Sequence, residues 1–218
     1  RTDVFFPSST TQCFSVLSGK ILPYVRQGQK IGVVPGGGAE FAFRELLQKG
    51  CVLFGLQRVH SIARLKEYGK AVYELGRKSE LHIGVIPSSN TADICSMVSK
   101  LFDINCIAIE NYLAVTLTPS NQILHTTRLY SMFKEYTSAT VYPKNFLFYE
   151  EWTDDASKML IACDQELQDI CEVIPLNLSS VKSLREHYES WAVEEMTKKI
   201  SGIKAFKGLT SPMKHTGE

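Results

Sequence analysis

Apolar runs alternate with helical patterns over the first half of the chain. Strand-like runs occur at residues 3–6, 30–34 and 51–54, and apolar residues with the spacing of amphipathic helices lie between them, at 13–25 and 39–49. Continuous apolar strands that alternate with helices of this length are typical of βαβ units, whose parallel sheet is buried on both faces. The pattern therefore predicts an α/β domain at the start of the chain.

Two further apolar runs, at 71–75 and 81–86, are separated by a polar segment that includes Gly76. We expect these two runs to pair as a hairpin at one edge of the sheet. A helix is predicted next, with N-cap candidates at 88–91 and apolar residues between 94 and 101. After about residue 108 the strand patterns fade, so we expect an α/β domain over 1–108 and an all-α domain over 109–218.

Helical spacing in the second half predicts four helical segments, at 113–133, 156–171, 181–188 and 191–206. Thr153, followed by Asp154 and Asp155, is a favourable start for the second segment, because a capping hydroxyl and carboxylates in the first turn oppose the helix dipole. Ser179 or Ser180 is expected to start the third. No internal repeat and no low-complexity tract interrupts this order.

Composition and charge narrow the classes of function. The chain is 44% hydrophobic and 22% charged, which is ordinary for a globular protein and excludes collagen, disorder and a disulfide-stapled miniprotein. Lysine and arginine number 24 against 23 aspartate and glutamate, so we expect neither nucleic acid nor a membrane surface as a partner. Residues 1–108 carry 13 basic and 8 acidic side chains, and residues 109–218 carry 11 and 15. The first half is therefore the better host for an anionic ligand.

Cysteine usage and hydropathy bear on the compartment. The six cysteines form no CxxC pair and have no histidine at zinc-finger spacing, so no structural zinc site is expected; they are Cys13, Cys51, Cys95, Cys106, Cys163 and Cys171. They are typical of small apolar residues in a reducing compartment. No apolar stretch approaches the roughly 20 residues of a membrane span, and no signal-peptide pattern is present. We expect a cytoplasmic protein.

Two loops follow predicted strands, where ligands bind in open α/β sheets. Pro7–Thr10 is small and hydroxyl-rich and suits contact with a nucleotide, and Pro35–Gly38 contains three glycines. Ordinary strand-to-helix turns have the same composition, so both interpretations stay open. The glycine triplet fails as a phosphate loop, because Phe41 stands where the dinucleotide fingerprint needs a small residue and no Lys-Ser/Thr follows. No GxGxxG occurs in the chain.

Among the five histidines, His125 has the most suggestive neighbours. Asn121 precedes it by four residues and Arg128 follows it by three, so a helix places all three side chains on one side. An amide, an imidazole and a guanidinium suit an organic acid, with Arg128 as carboxylate clamp and His125 as proton carrier. A solvated polar helix face is the alternative. The other four histidines lack a convergent partner and are expected to be structural: His60, His82, His187 and His215.

The pattern Asn121-x-x-x-His125, together with Phe6–Ser9 and Val34–Gly38, resembles the octopine/nopaline (opine) dehydrogenase family, to which the opine-metallophore dehydrogenases are related. The resemblance covers most of the chain, including 183–205. It implies the C-terminal part of an NAD(P)-binding Rossmann-like domain, with the first βαβ unit absent, followed by a helical catalytic and dimerisation domain. A homodimer is implied as well.

The resemblance also implies a reaction and a set of site residues. Members of the family use NAD or NADP to condense an amino acid with an α-keto acid through an imine, which takes a hydride. His125 matches the family's catalytic histidine, and Asn121 matches a substrate-binding asparagine. The loop that passes the nicotinamide side of the cofactor corresponds to Pro7, Ser8, Ser9 and Thr10. The role of Arg128 as a substrate-binding clamp rests on helix geometry alone.

Two departures from the family and two rival interpretations shape the expectations. Thr126 replaces a proline after the histidine, and no acidic partner for His125 is found, so we expect that partner beyond Glu218 and the fingerprint before Arg1.

A dehydrogenase of the glycerol-3-phosphate or 6-phosphogluconate type would share the domain plan, but such families usually place a lysine as acid/base. A non-catalytic binding or dimerisation module is the second rival. GxGxxG encoded upstream of Arg1 would favour the enzyme.

Overall fold

The structure is a computed structural model that describes residues 3–7, 10–118 and 120–211. The chain divides into two compact units, the first formed by Arg1–Thr118 with Pro175–Val181 and the second by Pro119–Ile174 with Lys182–Glu218. Residues just after 108 therefore pack with the sheet, although the sequence pattern assigned them to the helical part. The functional assignment of the two parts stays a prediction.

The first unit is built around a five-stranded mixed sheet. Its elements in chain order are β1 (Val4–Phe5), α1 (Phe14–Ile21), β2 (Lys30–Val33), α2 (Ala39–Ala42), α3 (Arg44–Gln48), β3 (Val52–Leu56), β4 (Ser61–Glu67), β5 (Ala71–Arg77), β6 (Glu80–Ile86), α4 (Thr91–Phe102), β7 (Asn105–Ala108) and α5 (Leu113–Thr116). The strand order is β1-β2-β3-β6-β7. Strands β1, β2 and β3 are parallel, β6 is antiparallel to β3, and β7 is parallel to β6. The predicted α/β class is confirmed, with one antiparallel step inside the sheet.

The centre of the sheet is buried on both faces, as its continuous apolar runs predict. All five residues of β3 are buried. Val52, Phe54 and Leu56 belong to the same apolar cluster as Ile94 and Val98 of α4. Because side chains alternate along a strand, the remaining β3 residues face the opposite side and are buried there.

The predicted hairpin between the fifth and sixth strands is wrong. β5 instead pairs with β4, with Leu65 opposite Val72, and the two form a separate antiparallel ribbon. β6 lies inside the main sheet, between β3 and β7. The physical reason is burial. Leu81, Ile83 and Val85, at alternate positions of β6, are buried, which suits the interior of the sheet, whereas most of β5 is exposed.

A single helix predicted over 39–49 is divided into α2 and α3. The division falls at Phe43, whose backbone (φ −102°, ψ 18°) is not helical. The Phe43 side chain is fully buried, and its ring lies 5.3 Å from that of Phe14. The break in the helix thus coincides with the packing of this aromatic pair, and the spacing of apolar residues does not reveal it. The helix predicted after 88–91 is confirmed as α4.

The second unit is helical in its described part, as predicted. It contains α6 (Ser120–Phe133), α7 (Asp154–Val173), α8 (Leu184–Tyr188) and α9 (Val193–Ser201). Its apolar core draws on all four of these helices and on the segment before α7: Leu124, Phe148, Trp152, Ala156, Leu160, Leu184, Met196 and Ile200. None of the helices in the described ranges combines the length and the apolar character that crossing a membrane requires.

Two predicted helix starts in this unit have different outcomes. The Thr153 hydroxyl accepts a hydrogen bond from the Ala156 amide (3.2 Å), so the predicted start of α7 is confirmed. The predicted start at Ser179 or Ser180 is wrong, because α8 begins after Ser183. Ser183 forms a capping box with Glu186, in which each side chain accepts a hydrogen bond from the other residue's backbone amide.

Candidate active site

His125 lies in the middle of α6, half-buried against aromatic residues from the segment before α7. Its Nε2 atom is 3.0 Å from the hydroxyl oxygen of Tyr149. The imidazole meets the Phe148 ring edge-on, with ring centres 5.5 Å apart. Burial lowers the pKa of His125 below its usual value. The imidazole is therefore neutral near pH 7 and able to accept a proton.

Tyr149 is held by rings on two sides. Its ring stacks on that of Phe206, with centres 4.4 Å apart and planes at 26°, and meets Phe148 edge-on at 5.0 Å. The Phe148 amide donates a hydrogen bond to the Leu209 carbonyl (2.8 Å), which joins this segment to the chain after α9. The hydroxyl that contacts His125 is thus set by packing rather than by a flexible side chain. Sequence reasoning missed Tyr149.

Arg128 is buried one turn after His125, with only 3% of its surface exposed. Its Nε donates to the Phe148 carbonyl oxygen (2.9 Å) and its Nη2 to the Glu151 carbonyl oxygen (2.7 Å). The guanidinium carbon lies 5.7 Å from the centre of the Trp152 ring. Two of the five N–H donors of the guanidinium are thus bound to backbone carbonyls, and these bonds together with the burial of the side chain favour a structural role.

The three residues of the predicted triad therefore differ in how deeply they are buried. Asn121 is exposed, His125 is half-buried and Arg128 is buried. Helical spacing correctly places the three residues on one side of α6, but it does not tell how deep each side chain lies. The structure brings His125 to Tyr149 instead of to Arg128.

A polar network stabilises the segment that carries Tyr149. The Glu151 carboxylate accepts hydrogen bonds from the Lys144 ammonium and from the Leu147 amide (2.7 Å). These two hydrogen bonds, first that from Lys144 and then that from Leu147, lower the pKa of Glu151 below its usual value. The Trp152 indole donates to the Ser157 hydroxyl (3.0 Å). Hydrogen bonds thus hold the segment that leads into α7 both before and after Tyr149.

The glycine turn after β2 is closed by contacts of its own unit. The Gly36 amide donates to the Leu56 carbonyl (2.8 Å) and the Gly38 amide to the Thr116 hydroxyl (3.0 Å). The Tyr112 hydroxyl donates to the Gly36 carbonyl (2.9 Å). Two of the three glycine amides are thus already used, in agreement with the conclusion from sequence that the triplet is not a phosphate loop. Gly38 has a φ of +76°, which favours glycine there.

The loop after β1 begins at the carboxyl end of a parallel strand, as expected for a segment that contacts a dinucleotide. Pro7 is half-buried, and Thr10 is exposed and precedes a 3₁₀ turn that leads into α1. Ser8 and Ser9 lie outside the described residues. The position of the loop fits a nicotinamide cofactor, but the GxGxxG fingerprint that would bind its pyrophosphate does not occur in the sequence. These residues would hold a part of the cofactor only.

The other three histidines in the described part of the chain lie apart, each beside different neighbours. The His60 ring packs on Phe102 with centres 4.8 Å apart, His82 lies 3.6 Å from Glu80, and the ring of His187 meets that of Tyr188 edge-on. His215 lies outside the described residues. No group of three or more histidine, cysteine, aspartate or glutamate side chains suited to a metal ion occurs in the described part of the chain.

A mixed sheet unit followed by a helical unit is a fold that this chain shares with solved 2-dehydropantoate 2-reductase and octopine dehydrogenase structures. A 2-dehydropantoate 2-reductase structure from Geobacter metallireducens matches with a TM-score of 0.60 over 94% of this chain and 62% of its own, at 14% identity. Residues 108–217 match the family described as NAD/NADP octopine/nopaline dehydrogenase, alpha-helical domain. The chain belongs to the octopine/nopaline dehydrogenase family, and the resemblance noted from its sequence is confirmed.

Individual relatives agree with this assignment. Octopine dehydrogenases of Pecten maximus and Mizuhopecten yessoensis are each 27% identical over 209 residues, which cover 88% of this chain and 52% of theirs. A structure of octopine dehydrogenase with NADH and L-arginine matches with a TM-score of 0.77 at 23% identity, covering 98% of this chain and 57% of that one. The chain spans about half the length of the curated relatives it matches. The opine-metallophore subgroup is not singled out by these matches.

Proposed function

We propose that the protein is part of an NAD(P)H-dependent opine dehydrogenase that joins the amine of an amino acid to an α-keto acid. The observation that carries the proposal is His125, a half-buried imidazole with a lowered pKa, held by Tyr149 in the helical unit of this family. Solved octopine dehydrogenase structures contain NADH with L-arginine or with pyruvate, which supports an amino acid and a keto acid as the two substrate classes.

The reaction needs a group that moves protons between substrate atoms. The amine nitrogen bonds to the keto carbon, and the former carbonyl oxygen must then gain two protons to leave as water, one from that nitrogen and one from the solvent. We assign this transfer to His125, which takes a proton from the nitrogen and returns one to the departing oxygen. When bound, the nicotinamide supplies the hydride that reduces the resulting imine carbon.

Other residues have supporting roles in this proposal. The Asn121 amide, exposed one turn before His125, would orient a substrate carboxylate. Pro7, Ser8, Ser9 and Thr10 would pass the nicotinamide side of NAD or NADP. Domain roles follow the same scheme, with cofactor contacts in the sheet unit and proton transfer in the helical unit.

A product assay on the complete protein tests this function. NADH and NADPH are each supplied with a panel of amino acids and α-keto acids that includes arginine and pyruvate, and products are identified by mass spectrometry. We expect oxidation of the nicotinamide only when both substrates are present, with a secondary amine as product. Oxidation with a keto acid alone, giving a hydroxy acid, would contradict the proposal. The homodimer implied by the resemblance stays a prediction, which light scattering on the same sample would test.

A further inference from the structure

Two free thiols of the sheet unit lie on consecutive elements that pack together. Cys95 is on α4 and Cys106 is on β7, and both are half-buried beside the same apolar cluster, which includes Ile94 and Val98. The two thiol groups are in hydrogen-bonding contact with each other. The reaction proposed above uses neither of them, so their contact calls for a separate explanation.

The turn between α4 and β7 explains why the two thiols meet. The chain reverses at Asp103, whose left-handed backbone (φ +52°) ends α4, and the Ser99 hydroxyl donates a hydrogen bond to the Ile104 carbonyl (2.7 Å). Cys95 precedes Ser99 by one helical turn, a rise of about 6 Å. Cys106 follows Ile104 by two strand residues, a rise of about 6.6 Å. Because these two distances are nearly equal, Cys95 and Cys106 lie side by side.

We propose that Cys95 and Cys106 form a reversible disulfide when the protein meets an oxidised thiol such as glutathione disulfide. A disulfide requires two cysteines whose side chains face each other, and thiols in hydrogen-bonding contact already do. Cys163 and Cys171, the two cysteines of α7, are by contrast eight residues apart, which is about 12 Å along the helix and too far for a disulfide. The new bond would join α4 covalently to β7.

The exchange takes place in two steps. The Cys95 sulfur, after losing its proton to water, attacks one sulfur of glutathione disulfide, so that a bond to glutathione forms and one glutathione thiolate leaves. The Cys106 sulfur, after losing its proton, then attacks the Cys95 sulfur and releases the second glutathione. Two protein thiols are thereby oxidised by two electrons, and one glutathione disulfide is reduced to two glutathione thiols, which take up the two protons.

The surroundings of Cys106 explain the order of the two attacks. Burial, and after it the neighbouring Cys95 thiol, raises the pKa of Cys106 to about 12. Cys106 is therefore protonated near neutral pH, and because the thiolate is the nucleophile we assign the first attack to Cys95. Once glutathione occupies Cys95, the contribution of the Cys95 thiol to the pKa of Cys106 is removed, which favours the second attack.

Peptide mapping of the complete protein tests the pair. Trypsin cuts after Lys100, so Cys95 and Cys106 lie in different peptides, 79–100 and 101–128. We expect native protein treated with glutathione disulfide, with its remaining thiols then blocked, to yield these two peptides joined, and a thiol reductant to separate them. Cys13, which is exposed, should gain glutathione in the same sample and shows that the oxidant acted. Glutathione on Cys13 without the joined peptides, or joined peptides only after unfolding in urea, would overturn the proposal.

Serine variants distinguish the pair from general oxidation of thiols. Cys106→Ser should stop at the mixed disulfide, with glutathione retained on Cys95, and Cys95→Ser should yield no joined peptides. Cys163→Ser is the matched control, because Cys163 is half-buried in the helical unit, and it should yield the joined peptides as the unsubstituted protein does. Absence of glutathione from Cys95 in Cys106→Ser, or Cys95 joined to another cysteine in the unsubstituted protein, would contradict the proposal.

Discussion

Burial decides the chemistry of single residues on α6. His125 and Arg128 are three positions apart and both are removed from water, yet the consequences differ. Burial lowers the pKa of His125, which leaves a neutral imidazole beside Tyr149. Burial also lowers the pKa of Arg128, an effect that the charge of Glu151 opposes, and two of its N–H donors bind backbone carbonyls. The His125 imidazole thus stays neutral and able to accept a proton, whereas Arg128 binds the backbone of the segment before α7.

The lowered pKa of His125 predicts how stability depends on pH. The unfolded chain protonates this imidazole near pH 6.5, whereas the folded protein does so only at lower pH, so between these values the unfolded state binds more protons. The contribution of His125 is therefore fully present above about pH 6.5 and is lost as pH falls below it. Urea unfolding at several pH values should show a weaker pH dependence for His125→Gln. His82→Gln, on β6, is the control, and an equal dependence in His125→Gln and the unsubstituted protein would contradict the prediction.

Arg128→Lys distinguishes support from substrate binding. Lysine cannot reproduce two diverging hydrogen bonds from a planar group, so we expect the free energy of unfolding to fall by about 1–3 kcal/mol. KM for the substrates, measured per folded molecule, should change little. Arg26→Lys is the control, because Arg26 is half-exposed beside Asp3. A raised KM for one acid at unchanged melting temperature would restore Arg128 as a carboxylate clamp.

At the scale of elements, small residues allow Tyr112 to pack across the sheet. A Cβ at Gly55 would lie 2.4 Å from the Tyr112 hydroxyl and 2.9 Å from the Gly36 Cα atom. A Cβ at Gly84, the β6 partner of Gly55, would lie 2.7 Å from a Val115 methyl group. The close approach of Tyr112 and α5 explains why residues beyond 108 pack with the first unit.

Gly55→Ala is therefore expected to destabilise the sheet unit. Both neighbours of the added methyl group are backbone or a buried ring, so we expect a loss of about 1–3 kcal/mol, as for other overpacked cores. Gly76→Ala on β5 is the matched control, because nothing lies within 4 Å of its added Cβ atom. Chemical unfolding measures both variants. Equal stability of the two would show that Tyr112 can move aside.

Elements with a strong local pattern could be predicted from the sequence, and pairings could not. β1, β2 and β3, together with α4 and α7, follow from their own residues. The partner of β5 depends on the burial of β6 between β3 and β7, and the residues of the 71–75 run do not contain that information. Ser183 and Ser179 are alike as residues, but only Ser183 has a glutamate three positions later, a signal that could have been used.

The candidate site divides in the same way. Spacing and resemblance find His125, because Asn121 and His125 lie one turn apart. Tyr149 is 24 residues from His125 and lies in an irregular segment with no periodic pattern, so no local rule connects the two. The role of Arg128 depends on the Phe148 and Glu151 carbonyls, which the chain brings to it only by folding.

At the scale of the whole molecule, each unit has its own apolar core and the chain contains no dinucleotide fingerprint. Two of the glycine amides after β2 are bound within their own unit. We therefore expect the 218-residue chain by itself to bind NADH or NADPH with a dissociation constant above about 1 mM. Calorimetry measures this, with a cooperative thermal transition of the same sample as the control for folding. Micromolar binding would contradict the prediction.

The central claim is that His125 moves the protons of imine formation, and His125→Ala in the complete protein tests it most directly. A positioned acid/base group contributes about 10²- to 10⁴-fold, so single-turnover reduction should slow by that factor while cofactor affinity stays within a few fold. His187→Ala, a histidine on α8, is the matched control and should react at the normal rate. Melting temperatures of both variants allow each rate to be expressed per folded molecule. If His125→Ala reacts at a near-normal rate per folded molecule, His125 is not the proton carrier and the account is wrong.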